Sequence, residues 1–300
     1  TLNKILILGA SGFIGSHFVK KCLDNNFKVY AVSLKKDLKI THKNLFHKKV
    51  SLENLIHDKI MKINFEYIVN LSGYIDHSIS KNKSLKIINN HFLSVYNLIN
   101  TMPKKKLIKF IQIGSSDEYG YSKSPLNEKL REDPFTPYSF SKVAITHYLM
   151  SLYHATNFPF LVIRLFLVYG PGQSENRLIP YVIKNSIKNN KFKLTDGNQK
   201  RDFLYIDDAI EAIYKLMINK KINGKIINLS SGKPITVKNI VLLINKIIGK
   251  GNPIFGKIIN TKLENSSLWS KRNIVLKKIN WKPKFNIQNG LLETIDYFKK

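Results

Sequence analysis

Lys4-Ile5-Leu6-Ile7-Leu8-Gly9-Ala10-Ser11-Gly12-Phe13-Ile14-Gly15 joins a short apolar run to glycines at positions 9, 12 and 15. Glycines at i, i+3 and i+6 between a strand and a helix let the backbone turn tightly. The loop can then approach a diphosphate at the start of the helix, where free N–H groups and the helix dipole favour negative charge. Downstream, residues 28–33, 45–50, 67–71, 107–113 and 160–167 read as further apolar, β-branched strands. Residues 13–23, 85–102 and 138–153 read as helices between them. This alternation predicts an α/β fold with a doubly wound parallel sheet, whose ligand lies at the carboxyl ends of the strands.

After Tyr169-Gly170-Pro171-Gly172 the rhythm changes to longer helices, at 178–189, 207–219, 234–248 and 287–300, with short strands such as 226–229. Gly-Pro-Gly reads as a hinge. The expected division is a dinucleotide-binding domain over 1–170 and a smaller α/β substrate domain over 171–300.

The 300 residues, 43% of them hydrophobic, can furnish one large or two small cores. The longest apolar stretches are too short to span a bilayer, and the N-terminal run has strand length, so a protein of the cytoplasm with no membrane partner is expected. A net charge of +29 raises nucleic-acid binding as a class. The lysines are spread through nearly every segment among Ile and Asn, however, which reads as general composition and not as one basic face. No nucleic-acid partner is therefore expected. One cysteine, Cys22, excludes an internal disulfide and a cysteine metal cluster. The eight histidines show no metal spacing and read as ordinary polar residues.

Tyr138 and Lys142 stand four residues apart, on one face of a helix. A free phenol ionises near pH 10, and a neighbouring ammonium favours its ionised form, so the pair can move a proton at an alcohol or ketone oxygen.

These motifs resemble the extended branch of the short-chain dehydrogenases/reductases: the nucleotide-sugar epimerases, dehydratases and ketoreductases. The resemblance rests on Gly9 to Gly15, on Ser115-Ser116-Asp117-Glu118-Tyr119-Gly120, and on Pro137-Tyr138-Ser139-Phe140-Ser141-Lys142. It rests further on Arg164-Leu165-Phe166-Leu167-Val168-Tyr169-Gly170-Pro171 and on Arg201-Asp202-Phe203-Leu204-Tyr205-Ile206-Asp207-Asp208. It implies a Rossmann domain, a nucleoside-diphosphate sugar as substrate, and a homodimer. It also implies cofactor contacts from Gly9, Ser11, Gly12, Phe13, Ile14 and Gly15, from Ser51 and Leu52, from Leu71, Ser72 and Gly73, and from Tyr138 and Lys142. At the end of the second strand an acidic residue would suit the ribose of NAD. Ser33, Lys35 and Lys36 stand there instead and favour NADP, with NAD as the other possibility.

In the same resemblance Ser115 polarises the substrate oxygen beside Tyr138. Dehydratases of the dTDP-glucose type carry Thr-Asp-Glu where this chain has Ser115-Ser116-Asp117, which counts against dehydration and leaves Asp117 as a shorter candidate acid/base. Ser116, Arg177, Leu178, Arg201 and Lys262 fall at substrate positions, and Leu167 departs from an asparagine usual in the family. The expected activity is NADPH-dependent reduction of the C4 ketone of a nucleoside-diphosphate 4-keto-deoxy sugar, in surface-polysaccharide sugar biosynthesis. A 4-epimerase using the same Ser115, Tyr138 and Lys142 is the alternative, and a 4,6-dehydratase comes third.

Overall fold

The computed structural model describes residues 2–34, 37–259, 265–271 and 273–300. Lys35, Lys36 and Lys262, expected at the cofactor and substrate, lie outside the described residues. The first half carries β1 (Lys4–Leu8), α1 (Phe13–Asp24), β2 (Lys28–Ser33), β3 (Leu45–Lys49), α2 (Leu52–Leu55), β4 (Tyr67–Asn70), α3 (Lys81–Ile88) and α4 (Ser94–Thr101). It continues with β5 (Lys109–Ser115), α5 (Pro137–Thr156), β6 (Phe160–Leu165) and β7 (Leu167–Tyr169). Then come α6 (Leu178–Ile187), β8 (Lys191–Lys193), β9 (Lys200–Tyr205), α7 (Ile206–Ile218), β10 (Lys225–Leu229) and β11 (Pro234–Thr236). The chain ends with α8 (Val237–Ile248), β12 (Asn252–Ile254), β13 (Ser267–Leu268), α9 (Ile274–Lys278) and α10 (Ile287–Lys299). Two compact units interleave along the chain. One comprises Thr1–Gly120, Glu128–Leu165 and Ile210–Ile227, the other Tyr121–Asn127, Phe166–Ala209 and Asn228–Lys300.

The first unit is built on a seven-stranded sheet in the order β10-β6-β5-β4-β1-β2-β3. From β3 to β6 every pairing is parallel, with Ile7 of β1 opposite Ala31 of β2 and Val69 of β4. Strands covered on both faces need apolar residues at every position and not at alternate ones. β4, β5 and β6 are buried throughout, and β1 from Ile5 onward. Leu6, Leu8, Ile68, Phe110 and Val162 meet Leu98 and Ile145 in one core. Strand order reverses between β1 and β4, where a doubly wound sheet opens its ligand crevice. The doubly wound parallel sheet expected from the sequence is what the chain forms.

α5 shows how the sequence fixes a functional helix. Thr136 and Ser139 cap each other reciprocally and Pro137 takes the first helical position. Asn157, left-handed at φ 56°, ends the helix. Tyr138 and Lys142 are held on its buried face with Ile145 and Leu149.

Most expected elements shift by up to three residues at an end, and three are divided or re-bounded. The run 160–167 divides into β6 and β7 at Phe166. The helix expected at 85–102 begins at Lys81 and passes through a π turn, Asn89–Leu93, before resuming as α4. The helix expected from 234 begins at Val237, because Pro234 to Thr236 pair antiparallel with β9 and the Thr236 hydroxyl caps α8 by accepting from Asn239 N.

In the second unit β9 pairs with β11, β13 and β7, and β8 pairs with β12. Two of the three acidic residues of the 201–208 motif hold backbone amides here. Asp202 accepts from the backbone of Ser231 and Gly232 at 2.7 and 2.8 Å. Asp208 accepts from Lys284 N and Phe285 N at 2.9 and 3.0 Å.

Candidate active site

The loop after β1 is shaped by its glycines. Gly9 has φ +75°, and a Cβ there would lie 2.6 Å from Ser72 Cα and 2.7 Å from the Leu71 carbonyl. A Cβ on Gly15 would strike the Gly9 carbonyl oxygen. Gly12 caps α1 with no side-chain hydrogen bond, and no acidic residue stands in the first turn. No acidic side chain of the turn itself competes for its amides, and the close-packed backbone leaves a cradle that fits a dinucleotide diphosphate. Ser11, Phe13 and Ile14 line the same turn.

Ser33 ends β2, is 2% exposed, and its hydroxyl lies 2.7 Å from His47 Nε2. Burial holds the His47 imidazole below its ordinary range. Ser51 caps α2, accepting from Asn54 N at 3.2 Å, and Leu52 begins that helix. Beyond β4, Asn70 Oδ1 accepts from Ser72 N at 3.1 Å while its Nδ2 donates to Gln112 Oε1 at 2.8 Å. This fixes the 71–73 backbone beside the glycine loop.

Ser115 ends β5 at 7% exposure. Its hydroxyl accepts from Asp117 N at 3.1 Å, and its own N–H donates to Glu118 Oε1 at 2.9 Å. Lys142 Nζ donates to the Ile113 carbonyl at 2.9 Å and lies 5.8 Å from the centre of the Tyr138 ring. Burial pushes the Lys142 ammonium down to about 8, and the Glu118 carboxylate opposes this more weakly. Asp117 Oδ2 meets His77 Nε2 at 3.0 Å, and the His77 ring lies 6.0 Å from that of Tyr138. Ser116 is buried in the same turn. A phenol near a lysine ammonium, with a serine hydroxyl at the adjacent strand end, is equipped to exchange a proton with a carbinol or ketone oxygen.

Six residues given no role by the sequence reading stand around this group. Glu118, fully buried, accepts from Arg164 Nε at 2.8 Å and Thr146 Oγ1 at 3.1 Å as well as from Ser115 N–H. Arg164 Nη2 also reaches Glu132 Oε1 at 2.5 Å. His77 and His91 both pack near Tyr138. His91 was legible in one respect: it falls at helical spacing on the apolar stripe of Ile87 and Val95.

The second unit holds a cavity of about 340 Å³ lined by Leu167, Leu178, Tyr181, Gln199, Arg201 and Val237 among others. Leu178 and Arg201 are thus brought together, with the unusual Leu167 beside them. Arg201 is 8% exposed and donates from Nη1 to Lys200 O at 2.9 Å. Arg177 caps α6 from an exposed position. Among the described residues no group of three or more acidic, histidine or cysteine side chains could hold a metal ion, and no helix is long and apolar enough to cross a membrane.

The model of the NAD-dependent epimerase/dehydratase family matches residues 5–230, and the chain belongs to that family. It is 26% identical to a UDP-glucuronate 4-epimerase of Thermodesulfobacterium geofontis over 98% of this chain and 96% of that one. It is 27% identical to a dTDP-D-glucose 4,6-dehydratase of Dictyostelium discoideum over 77% of this chain and 58% of that one. Among solved structures it resembles the Bacillus cereus UDP-glucuronic acid 4-epimerase in complex with UDP-glucuronic acid and NAD, with TM-score 0.88, 25% identity and 99% of both chains covered. The protein is an enzyme of the NAD-dependent nucleotide-sugar epimerase/dehydratase class, as the resemblance of its motifs implied.

Proposed function

We propose that the protein is a nucleotide-sugar 4-epimerase that retains NAD through the catalytic cycle. The observation that carries this reading is Lys142 beside the Tyr138 ring, with its Nζ on the Ile113 carbonyl two residues before Ser115, in a chain whose relatives, matched over nearly their whole length, include a C4 epimerase. The same three residues serve a ketoreductase equally well. The comparisons favour the epimerase, so 4-keto reduction gives way to it as the leading reading.

Residues 1–170 hold the dinucleotide in this account, and residues 171–300 mainly bind the nucleoside diphosphate. The glycine loop receives the diphosphate of the cofactor, with Ser51, Leu52 and the 71–73 backbone along its adenosine side. Ser33, hydrogen-bonded to His47 at the end of β2, would face the adenosine ribose, and NAD is taken as the cofactor because the similar UDP-glucuronic acid 4-epimerase of Bacillus cereus carries NAD. When bound, the nicotinamide supplies the hydride acceptor and donor for C4 of the sugar. Tyr138 takes the proton of the C4 hydroxyl during oxidation and returns one during reduction. Ser115 hydrogen-bonds the same oxygen, and the Lys142 ammonium favours the ionised phenol. Asp117 and Ser116 flank the reacting sugar. In the second unit Leu178 and Arg201 receive the nucleotide, and Arg177 offers a planar fork for phosphate.

The test is to incubate the NAD-loaded protein with UDP-glucose, UDP-glucuronic acid and their N-acetylated counterparts. Formation of the C4 epimer with no net change in reduced-nicotinamide absorbance supports the reading. Stoichiometric consumption of reduced cofactor with a 4-keto sugar nucleotide, and no epimer formed, would restore the reductase.

A further inference from the structure

His91 is a buried imidazole with one nitrogen left over. It sits in the π turn between α3 and α4 at 3% exposure, and such one-residue widenings re-aim side chains and recur at functional sites. Its ring meets Tyr138 edge-on, with centroids 5.1 Å apart and planes at 89°, and packs against Tyr74 at 5.1 Å. A Cβ on Gly73 would come within 2.6 Å of His91 Cε1, so the glycine leaves room for the ring.

The tautomer follows from the partners. A backbone hydrogen bond with Tyr74 stabilises the protonated ring nitrogen, so it is made to the carbonyl oxygen. Nε2 has no hydrogen-bond partner, so Nδ1 carries the proton and Nε2 presents a lone pair. Burial, aided by the Lys142 charge, pushes the ring down to about 3, and the acceptor stays uncharged at working pH. A buried polar atom without a partner is rare in folded proteins and marks a place for a ligand group or ordered water.

Lys142 packs against the same Tyr138 ring, its Nζ 5.8 Å from the ring centre. One of its three N–H donors is used on Ile113 O, which leaves donors for a ligand oxygen. An ammonium donor and an imidazole acceptor together match a hydroxyl group, whose oxygen accepts from the first and whose O–H donates to the second. We propose that His91 Nε2 accepts a hydrogen bond from a hydroxyl of the cofactor's nicotinamide ribose, so that Lys142 and His91 orient that ribose as a donor–acceptor pair. The proposal rests on the dinucleotide-enzyme reading above and makes His91 a positioning residue, not a proton carrier.

NAD dissociation constants for the wild type, His91→Leu and His91→Asn, measured by calorimetry, test it together with NAD analogues lacking the 2′- or the 3′-hydroxyl of the nicotinamide ribose. The expected result is a roughly tenfold weaker NAD complex for His91→Leu, the order of one buried hydrogen bond. His91→Asn, which restores an acceptor, recovers most of it. One deoxy analogue loses a similar factor against the wild type and binds the wild type and His91→Leu alike. The analogue series on the wild type stands even if a variant folds poorly. Equal NAD binding by wild type and His91→Leu overturns the proposal. So does a Leu effect that persists undiminished with both deoxy analogues, which would assign Nε2 to a water. Failure of the wild type to bind any nicotinamide dinucleotide would instead remove the reading on which the proposal rests.

Discussion

Glu118 offers the sharpest test of how the site is held, because one carboxylate serves four donors with no access to solvent. It accepts from Ser115 N–H, from Thr146 and from the Nε and Nη2 of Arg164, whose side chain is itself 0% exposed. Replacing Glu118 with Ala leaves the guanidinium with Glu132 as its remaining carboxylate and the Ser115 amide without its acceptor. Removing one partner of a buried ion pair costs about 3–5 kcal/mol. At about 2–4 °C per kcal/mol for domains of ~150–250 residues, the thermal midpoint should fall by about 6–20 °C. Glu118→Gln keeps an acceptor for the amide but removes the charge, and should fall between wild type and Ala. Calorimetry and circular dichroism read the midpoint, and turnover at a temperature where both variants are folded reads the effect on Ser115. An Ala variant melting within about 2 °C of wild type would mean that the network contributes less than about 1 kcal/mol, and the reasoning would fail.

The pH dependences of activity and stability should run in opposite directions in alkali. Lys142 and Lys109 are both lowered by burial from an ordinary 10.5 to about 8. Between those values the folded chain binds fewer protons than the unfolded one, so these two groups make stability rise with pH across that window. The Lys142 ammonium that supports Tyr138 is lost over the same range, so kcat/KM should decline above about pH 8; a flat profile to pH 10 would remove Lys142 from the proton chemistry. Lys109→Met should destabilise, since the buried Nζ donates to the carbonyls of Leu216 and Asn219 at the end of α7, at 2.8 and 2.5 Å. Leaving those acceptors unpaired costs about 1–3 kcal/mol, readable as a shift of the urea midpoint at unchanged slope. Protein purified without added cofactor and then denatured should release NAD; release of NADP would return the preference to the expectation drawn from Ser33, Lys35 and Lys36.

The strand-and-glycine grammar of the first unit was legible because both faces of its sheet are covered. Continuous apolar runs such as Ile5 to Leu8 and Tyr67 to Val69 leave little ambiguity, and Gly9 and Gly15 are demanded by backbone contacts that no other residue tolerates. The short strands β8, β11, β12 and β13 carry two or three residues each, too few for periodicity to register. Pro234 and Thr236 looked like a helix start, yet pairing with β9 fixed them as strand. Tyr138 and Lys142 stand out by their spacing, and Ser115 only by the resemblance of its motif to the family. The residues that hold them were not: Glu118 finds Arg164 across 46 positions and Thr146 across 28, and only the fold brings them together. His91 carried a local clue, a polar ring on an apolar stripe, but its use depends on Tyr138 and Lys142, which arrive from another helix. The reaction itself was the least legible feature, since oxidation and reduction at C4 draw on the same three side chains whether or not the cofactor is released.

The central claim is that Tyr138, Ser115 and Lys142 serve a hydride that leaves C4 and returns to the same carbon. It is tested most directly by following whichever of UDP-glucose, UDP-glucuronic acid and their N-acetylated counterparts the NAD-loaded protein turns over, deuterated at C4, in unlabelled water and without added reduced cofactor. The account predicts a C4 epimer that keeps its deuterium at C4, formed with a slowed rate, and no product from Tyr138→Phe, which should still bind NAD. Deuterium recovered in free reduced cofactor, or at C6 of a dehydrated sugar, would contradict it.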